Sequence, residues 1–110
     1  MIDWMRVTEL RDEIGADDFG EVVELFLEEV EGEIAILRDG FDPAELESRL
    51  HFLKGSALNL GFTVFSDLCQ RGETAAARGR HDQIDITATL AAFDASRIEF
   101  LDKIGDLCPA

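Results

Sequence analysis

Leu46, Leu50, Leu53, Ala57 and Leu60 are separated by four, three, four and three residues. That spacing holds apolar side chains along one narrow line of a helix, a seam of the kind that faces the core of a bundle. Asp42 and Pro43 precede the seam, an N-cap acceptor followed by proline at the first helical position. Gly61 closes it. At ~1.5 Å per residue the helix is roughly 25 Å long. A seam this narrow requires partner helices, and the flanking sequence supplies them.

Residues 3–14 place Trp4, Val7, Leu10 and Ile14 at helical spacing, and Gly15 ends the segment. From about Asp18 to Arg38, Phe19, Val23, Phe26, Val30, Ile34 and Leu37 recur at three- and four-residue steps, with Val22, Leu25 and Leu27 widening the stripe. Asp17 or Asp18 is the expected cap, and Glu21, Glu24, Glu28, Glu29 and Glu31 take the opposite face. From Phe62 a fourth helix turns Phe65, Leu68, Cys69, Ala75 and Ala76 inward and ends near Arg78-Gly79. Gly72 lies on that stripe. Interior glycine costs about 1 kcal/mol against alanine, which points to close helix packing there. A last helix, from about Asp82 to Asp106, turns Ile86, Leu90, Phe93, Leu101 and Ile104 inward, with Arg97 snorkelling at the stripe's edge.

Short links make consecutive helices antiparallel neighbours. The expected fold is all-α: an up-down four-helix bundle with a short additional N-terminal helix across one end. A length of 110 residues suits one core and not two, so residues 1–110 are expected to form a single, free-standing domain.

The net charge of −14 repels phosphate backbones and anionic lipid heads, which argues against nucleic acid and membrane surfaces as partners. From Asp12 to Glu33 there are ten carboxylates and no Lys or Arg, read first as a solvated acidic helix face, with deterrence of wrong partners as the sharper alternative. Cys69 and Cys108 are too few for a disulfide framework, and Cys69 is expected to be a small buried hydrophobe. No basic-then-apolar leader opens the chain and no apolar run approaches ~18 residues, so a soluble, cytoplasmic monomer is expected.

His51 follows Leu50 of the seam, about 100° around the helix, so it should be partly exposed. Glu47, Ser48, Lys54 and Gly55 are its helical neighbours. A neutral imidazole is a nucleophile near neutral pH, Lys54 offers a cation to hold anionic oxygens, and Gly55 has no side chain to keep a partner away. Ser56 offers a hydroxyl but should face inward or along the helix. Leu58 is the one apolar residue expected to be exposed on this face, the alternative being that it widens the core stripe. No Gly-rich phosphate loop and no kinase signature is present, so a phosphoryl group would have to arrive from another protein and leave to another.

His51-Phe52-Leu53-Lys54-Gly55-Ser56-Ala57, followed by Leu60-Gly61, resembles the H-x-L-K-G-S-A-x-x-x-G signature of histidine phosphotransfer (HPt) domains of bacterial multistep phosphorelays. Phe65, the Leu68-Cys69 pair and Glu73 extend the resemblance. It implies a four-helix bundle that accepts a phosphoryl group on Nε2 of His51 from one receiver-domain aspartate and passes it to another. The implied partners are response-regulator receiver domains and a hybrid histidine kinase. Glu73 or Gln70 would accept a hydrogen bond from the second ring nitrogen. Mg²⁺ would belong to the receiver, leaving this chain a phosphocarrier with no cofactor or metal of its own and no enzymatic ATP chemistry.

Other readings are weaker. Glu47 and His51 have a metal-like spacing but no matching second pair, and His81 is read as an exposed residue near a helix start. Gly55-Ser56 lacks the flanking elbow of an esterase. A non-transferring adaptor that sequesters a kinase or receiver would have no need of His51, Lys54 and Gly55 together. The phosphoacceptor domain of a chemotaxis-type kinase shares the His-x-x-Lys-Gly core, but Leu53 and Ser56-Ala57 fit the free HPt domain better, and no kinase module follows.

Overall fold

A computed structural model describes residues 2–107. Cys108 and the Pro109-Ala110 end lie outside the described residues. Five helices follow one another: α1 (Trp4–Ile14), α2 (Ala16–Asp39), α3 (Leu46–Asn59), α4 (Thr63–Ala77) and α5 (Ile86–Lys103). The fold is an all-α four-helix bundle of α2 to α5, with α1 fastened to one end.

The seam predicted for α3 is buried along its whole length: Leu46, Leu50, Leu53, Ala57 and Leu60 are all core residues. Burying each of the leucines is worth about 1.5–3 kcal/mol. Together they outweigh the cost of Gly55 inside the same helix, about 1 kcal/mol. Pro43–Glu45 forms a 3₁₀ turn ahead of α3, and the Asp42 carboxylate accepts from the Ala44 N–H.

The helices run antiparallel in sequence. Phe62, at the start of α4, packs edge-on against Phe100 near the end of α5, and Phe65 packs against Phe93, one level deeper. Between α2 and α5, the Arg38 guanidinium donates to both carboxylate oxygens of Asp94, and Arg97 donates to Glu31. Arg49 bridges α3 to Glu33 of α2. Glu31 and Glu33 are thus ion-paired, in contrast to the purely solvated acidic face expected there. Glu21, Glu24, Glu28 and Glu29 are exposed as expected.

Three local expectations are corrected. Neither Asp17 nor Asp18 caps α2. Gly15, at φ +101°, ends α1 and starts α2 with no loop between them, so no side chain takes the cap position. Leu25 is exposed, because α2 turns only Phe19, Val23, Leu27, Val30, Ile34 and Leu37 fully into the core. In α5 the inward residue is Phe100 and not Leu101, which is exposed. Phe100 is drawn in by Trp4 of α1, whose ring stacks on it at 5.8 Å.

α1 is also fastened at the α3–α4 corner. The Asp3 N–H donates to Gly61 O at 2.7 Å, and Arg6 donates to the Asn59 side chain at 3.0 Å. Gly61 adopts φ +74°, and a Cβ there would sit 2.6 Å from Asp3 O and 3.1 Å from Val7 Cγ2. Gly55 has open space around its Cα. Gly61→Ala should therefore lose about 2–4 kcal/mol through backbone strain and overpacking. Gly55→Ala should gain up to about 1 kcal/mol from helix propensity. Urea unfolding followed by circular dichroism separates the two; equal midpoints would refute the assignment.

Candidate functional site

α3 and α4 are the most closely packed helix pair, and the site lies across them. Gly72 makes this approach possible. A Cβ at Gly72 would stand 2.7 Å from Leu50 Cδ1 and 3.4 Å from Ile84 Cγ2, so the core leucine that precedes His51 occupies the space a side chain would need. The close packing expected at Gly72 is present.

With α4 this close, residue 73 reaches residue 51. His51 Nδ1–H donates to Glu73 Oε2 at 2.7 Å. Lys54 Nζ donates to the other oxygen, Oε1, also at 2.7 Å. One carboxylate therefore joins the imidazole and the ammonium. Lys54 donates further to Gln70 Oε1 at 3.0 Å, and Gln70 Nε2 donates to Thr74 Oγ1 at 3.1 Å. Of the two candidates for orienting the ring, Glu73 makes the contact and Gln70 positions Lys54. Thr74 was missed from sequence; its place one turn after Gln70 is the signal that could have found it.

Exposure divides the group by task. The His51 side chain is 67% exposed, whereas Glu73 and Lys54 are 18% and 21% exposed. The ring stands in solvent while its anchor lies beneath. The Lys54 ammonium holds the Glu73 carboxyl below its ordinary range against the opposing effect of burial, and the His51 contact lowers it further. Glu73 is therefore a carboxylate at neutral pH. With Nδ1–H turned to this carboxylate, Nε2 is the nitrogen of the neutral ring that carries the free lone pair. Lys54 has three N–H donors, and Glu73 and Gln70 occupy two.

The surrounding surface follows the helix. Ala44, Glu47 and Ser48 line an open hollow with His51 and Glu73. Gly55 is exposed, and Leu58, one turn further, is 54% exposed. Two exposed apolar residues on this part of the molecule escaped the sequence reading. Phe52 follows His51 directly, and Met5 lines a groove with Leu58. Ser56 is buried, as its inward-facing position required. The Cys69 thiol, fully buried, is pushed up to about 12 by desolvation and by the nearby Glu73 charge, which makes it an inert core group. His81 is exposed, and its Nε2 donates to Pro43 O, joining the α4–α5 link to the 3₁₀ turn ahead of α3. Among the described residues, no group of three or more His, Cys, Asp and Glu side chains could hold a metal ion. Nor is any helix among them long and apolar enough to cross a membrane.

The family model for the Hpt domain matches residues 21–107. The comparisons with curated proteins and with solved structures gave no match.

The clamp on Glu73 has a pH signature of definite sign. Its folded-state value lies below the ordinary 4.5. The stability this adds is fully present above that ordinary value and is lost as pH falls through the depressed one. Wild type should exceed Glu73→Gln in urea midpoint at neutral pH, and the two should converge in acid. A difference that is the same at both extremes would remove the ion pair from the account.

Proposed function

We propose, on the premise that the chain belongs to the Hpt domain family, that His51 accepts a phosphoryl group from an aspartate of one receiver domain and passes it to an aspartate of a second. Hpt domains are phosphotransfer intermediates of two-component phosphorelays, carriers and not kinases, and they interact with receiver domains and histidine kinases. The finer assignment rests on one observation: the exposed ring whose Nδ1 is held by a carboxylate that Lys54 neutralises.

Each part then has a task. The Nε2 lone pair attacks phosphorus of the acyl phosphate. The P–O bond to the aspartate breaks, and its electron pair leaves with the carboxylate. The N–P bond forms while Nδ1 keeps its proton, so the ring becomes cationic against Glu73. The third N–H of Lys54 is free to meet a phosphoryl oxygen. Onward transfer reverses the steps: a second aspartate oxygen attacks phosphorus, and the N–P pair returns to Nε2. Mg²⁺ is assigned to the receiver, and a hybrid histidine kinase to the upstream end. Glu47, Ser48, Gly55 and Leu58 form the contact face, an apolar centre with a polar rim. Residues 1–110 act as one phosphocarrier unit in the cytoplasm.

Incubation with a phosphorylated receiver domain should place an acid-labile, base-stable label on wild type and none on His51→Gln. Full labelling of that variant would sink the assignment. Wild type that binds the receiver without ever taking label would be the non-transferring adaptor instead. Gly55→Trp should weaken receiver affinity about tenfold or more, roughly 1.4 kcal/mol, with unchanged helix content. Calorimetric titration reads this directly, and equal affinity would place the docking face elsewhere.

A further inference from the structure

The chain has ten basic residues against 24 acidic ones. With that excess, every arginine could find a carboxylate. Arg6, Arg11, Arg38, Arg49, Lys54 and Arg97 do. Among the described residues, the side chains of Arg71, Arg78, Arg80 and Lys103 form no ion pair or hydrogen bond. Three of those four line a single open groove of about 250 Å³, together with Gln70, Thr74 and Gln83.

The helix dipole does not account for this grouping. It favours a cation at the end of α4, which covers Arg78. Arg71 is in the middle of α4, and Arg80 is beyond its end. Of the two acids on the link, Asp85 spends its carboxylate capping α5, and Asp82, two residues from Arg80, forms no ion pair with any of the three arginines. The groove also joins the phosphoacceptor site, because Gln70 is common to both: it accepts from Lys54 and donates to Thr74. Arg78 is five residues beyond Glu73, ~7.5 Å further along the helix axis.

We infer that this groove receives an acidic segment of the receiver domain that exchanges phosphoryl groups with His51; the inference rests on the phosphorelay reading above. A domain that carries a phosphoaspartate and collects Mg²⁺ must present carboxylates around its site. A surface with a net charge of −14 repels such a domain from most directions. The unpaired arginines open one favourable approach beside the nucleophile. They set the orientation of the encounter and raise its rate, without touching the transferring group.

The test measures label transfer from a receiver domain at low and high salt. The chains compared are wild type, the triple variant Arg71→Ala, Arg78→Ala, Arg80→Ala, and Lys103→Gln at the far end of α5. Phosphoramidate, a small donor that needs no docking, reports His51 in every chain. The triple variant should lose about tenfold in kcat/KM at low salt and show a flatter salt dependence. Its saturated rate and its labelling by phosphoramidate should be kept. Lysine at the three positions should restore the rate, and Lys103→Gln should match wild type. A triple variant with wild-type rate and salt dependence would overturn the groove assignment alone. Wild type labelled by phosphoramidate but by no receiver would overturn the phosphorelay reading and the groove assignment with it.

Discussion

The Glu73 carboxylate between His51 and Lys54 is the contact on which the site depends, and it exists only because two helices come unusually close. A carboxylate that is four-fifths covered is unfavourable unless a cation answers it, and Lys54 does so at 2.7 Å. The two 2.7 Å contacts require α4 at one distance and one rotation from α3. Gly72 permits that approach, since a Cβ there would stand 2.7 Å from Leu50 Cδ1. The α3–α4 corner sets the register. Gly61 turns the chain with positive φ, and the backbone of Asp3 closes over it at a distance no side chain would tolerate. The short α1 is thus tied to the corner that joins the two helices of the site.

Much of this was legible because it is periodic. The α3 seam determined which residues are core, and therefore that His51, Gly55 and Leu58 face outward. The glycine stops at Gly15 and Gly61 marked the ends of α1 and α3. What the sequence did not show depends on distances between helices. Gln70 and Glu73 are three residues apart and share a face, so helix periodicity treats them alike. Only the rotation of α4 against Leu50 decides between them. Leu101 was misjudged for a related reason. Phe100 and Leu101 lie seven and eight residues beyond Phe93, both positions a helical stripe allows, and the stacking of Trp4 on Phe100 settles the register from another helix. Leu25 shows the same error, an apolar residue credited to a stripe that Leu27 already fills.

Holding a nucleophilic imidazole with a carboxylate creates a conflict when the electrophile is an anion. Under the proposed transfer, the carboxylate fixes the tautomer and balances the ring once it becomes cationic. It also repels the group that must arrive. At about 5 Å and an effective dielectric of roughly 20, that repulsion is about 3 kcal/mol for each unit of negative charge on the incoming group. Lys54 removes the conflict: on the same carboxylate, it cancels the field of Glu73 and leaves its geometry intact. The local site is then close to neutral within a strongly acidic molecule. Neutrality suits a carrier, because a site that bound the phosphoryl group tightly would accept it and fail to release it. Attraction of the partner is therefore best placed outside the site, on charges that do not touch phosphorus, and the unpaired arginines beyond Gln70 occupy such a position.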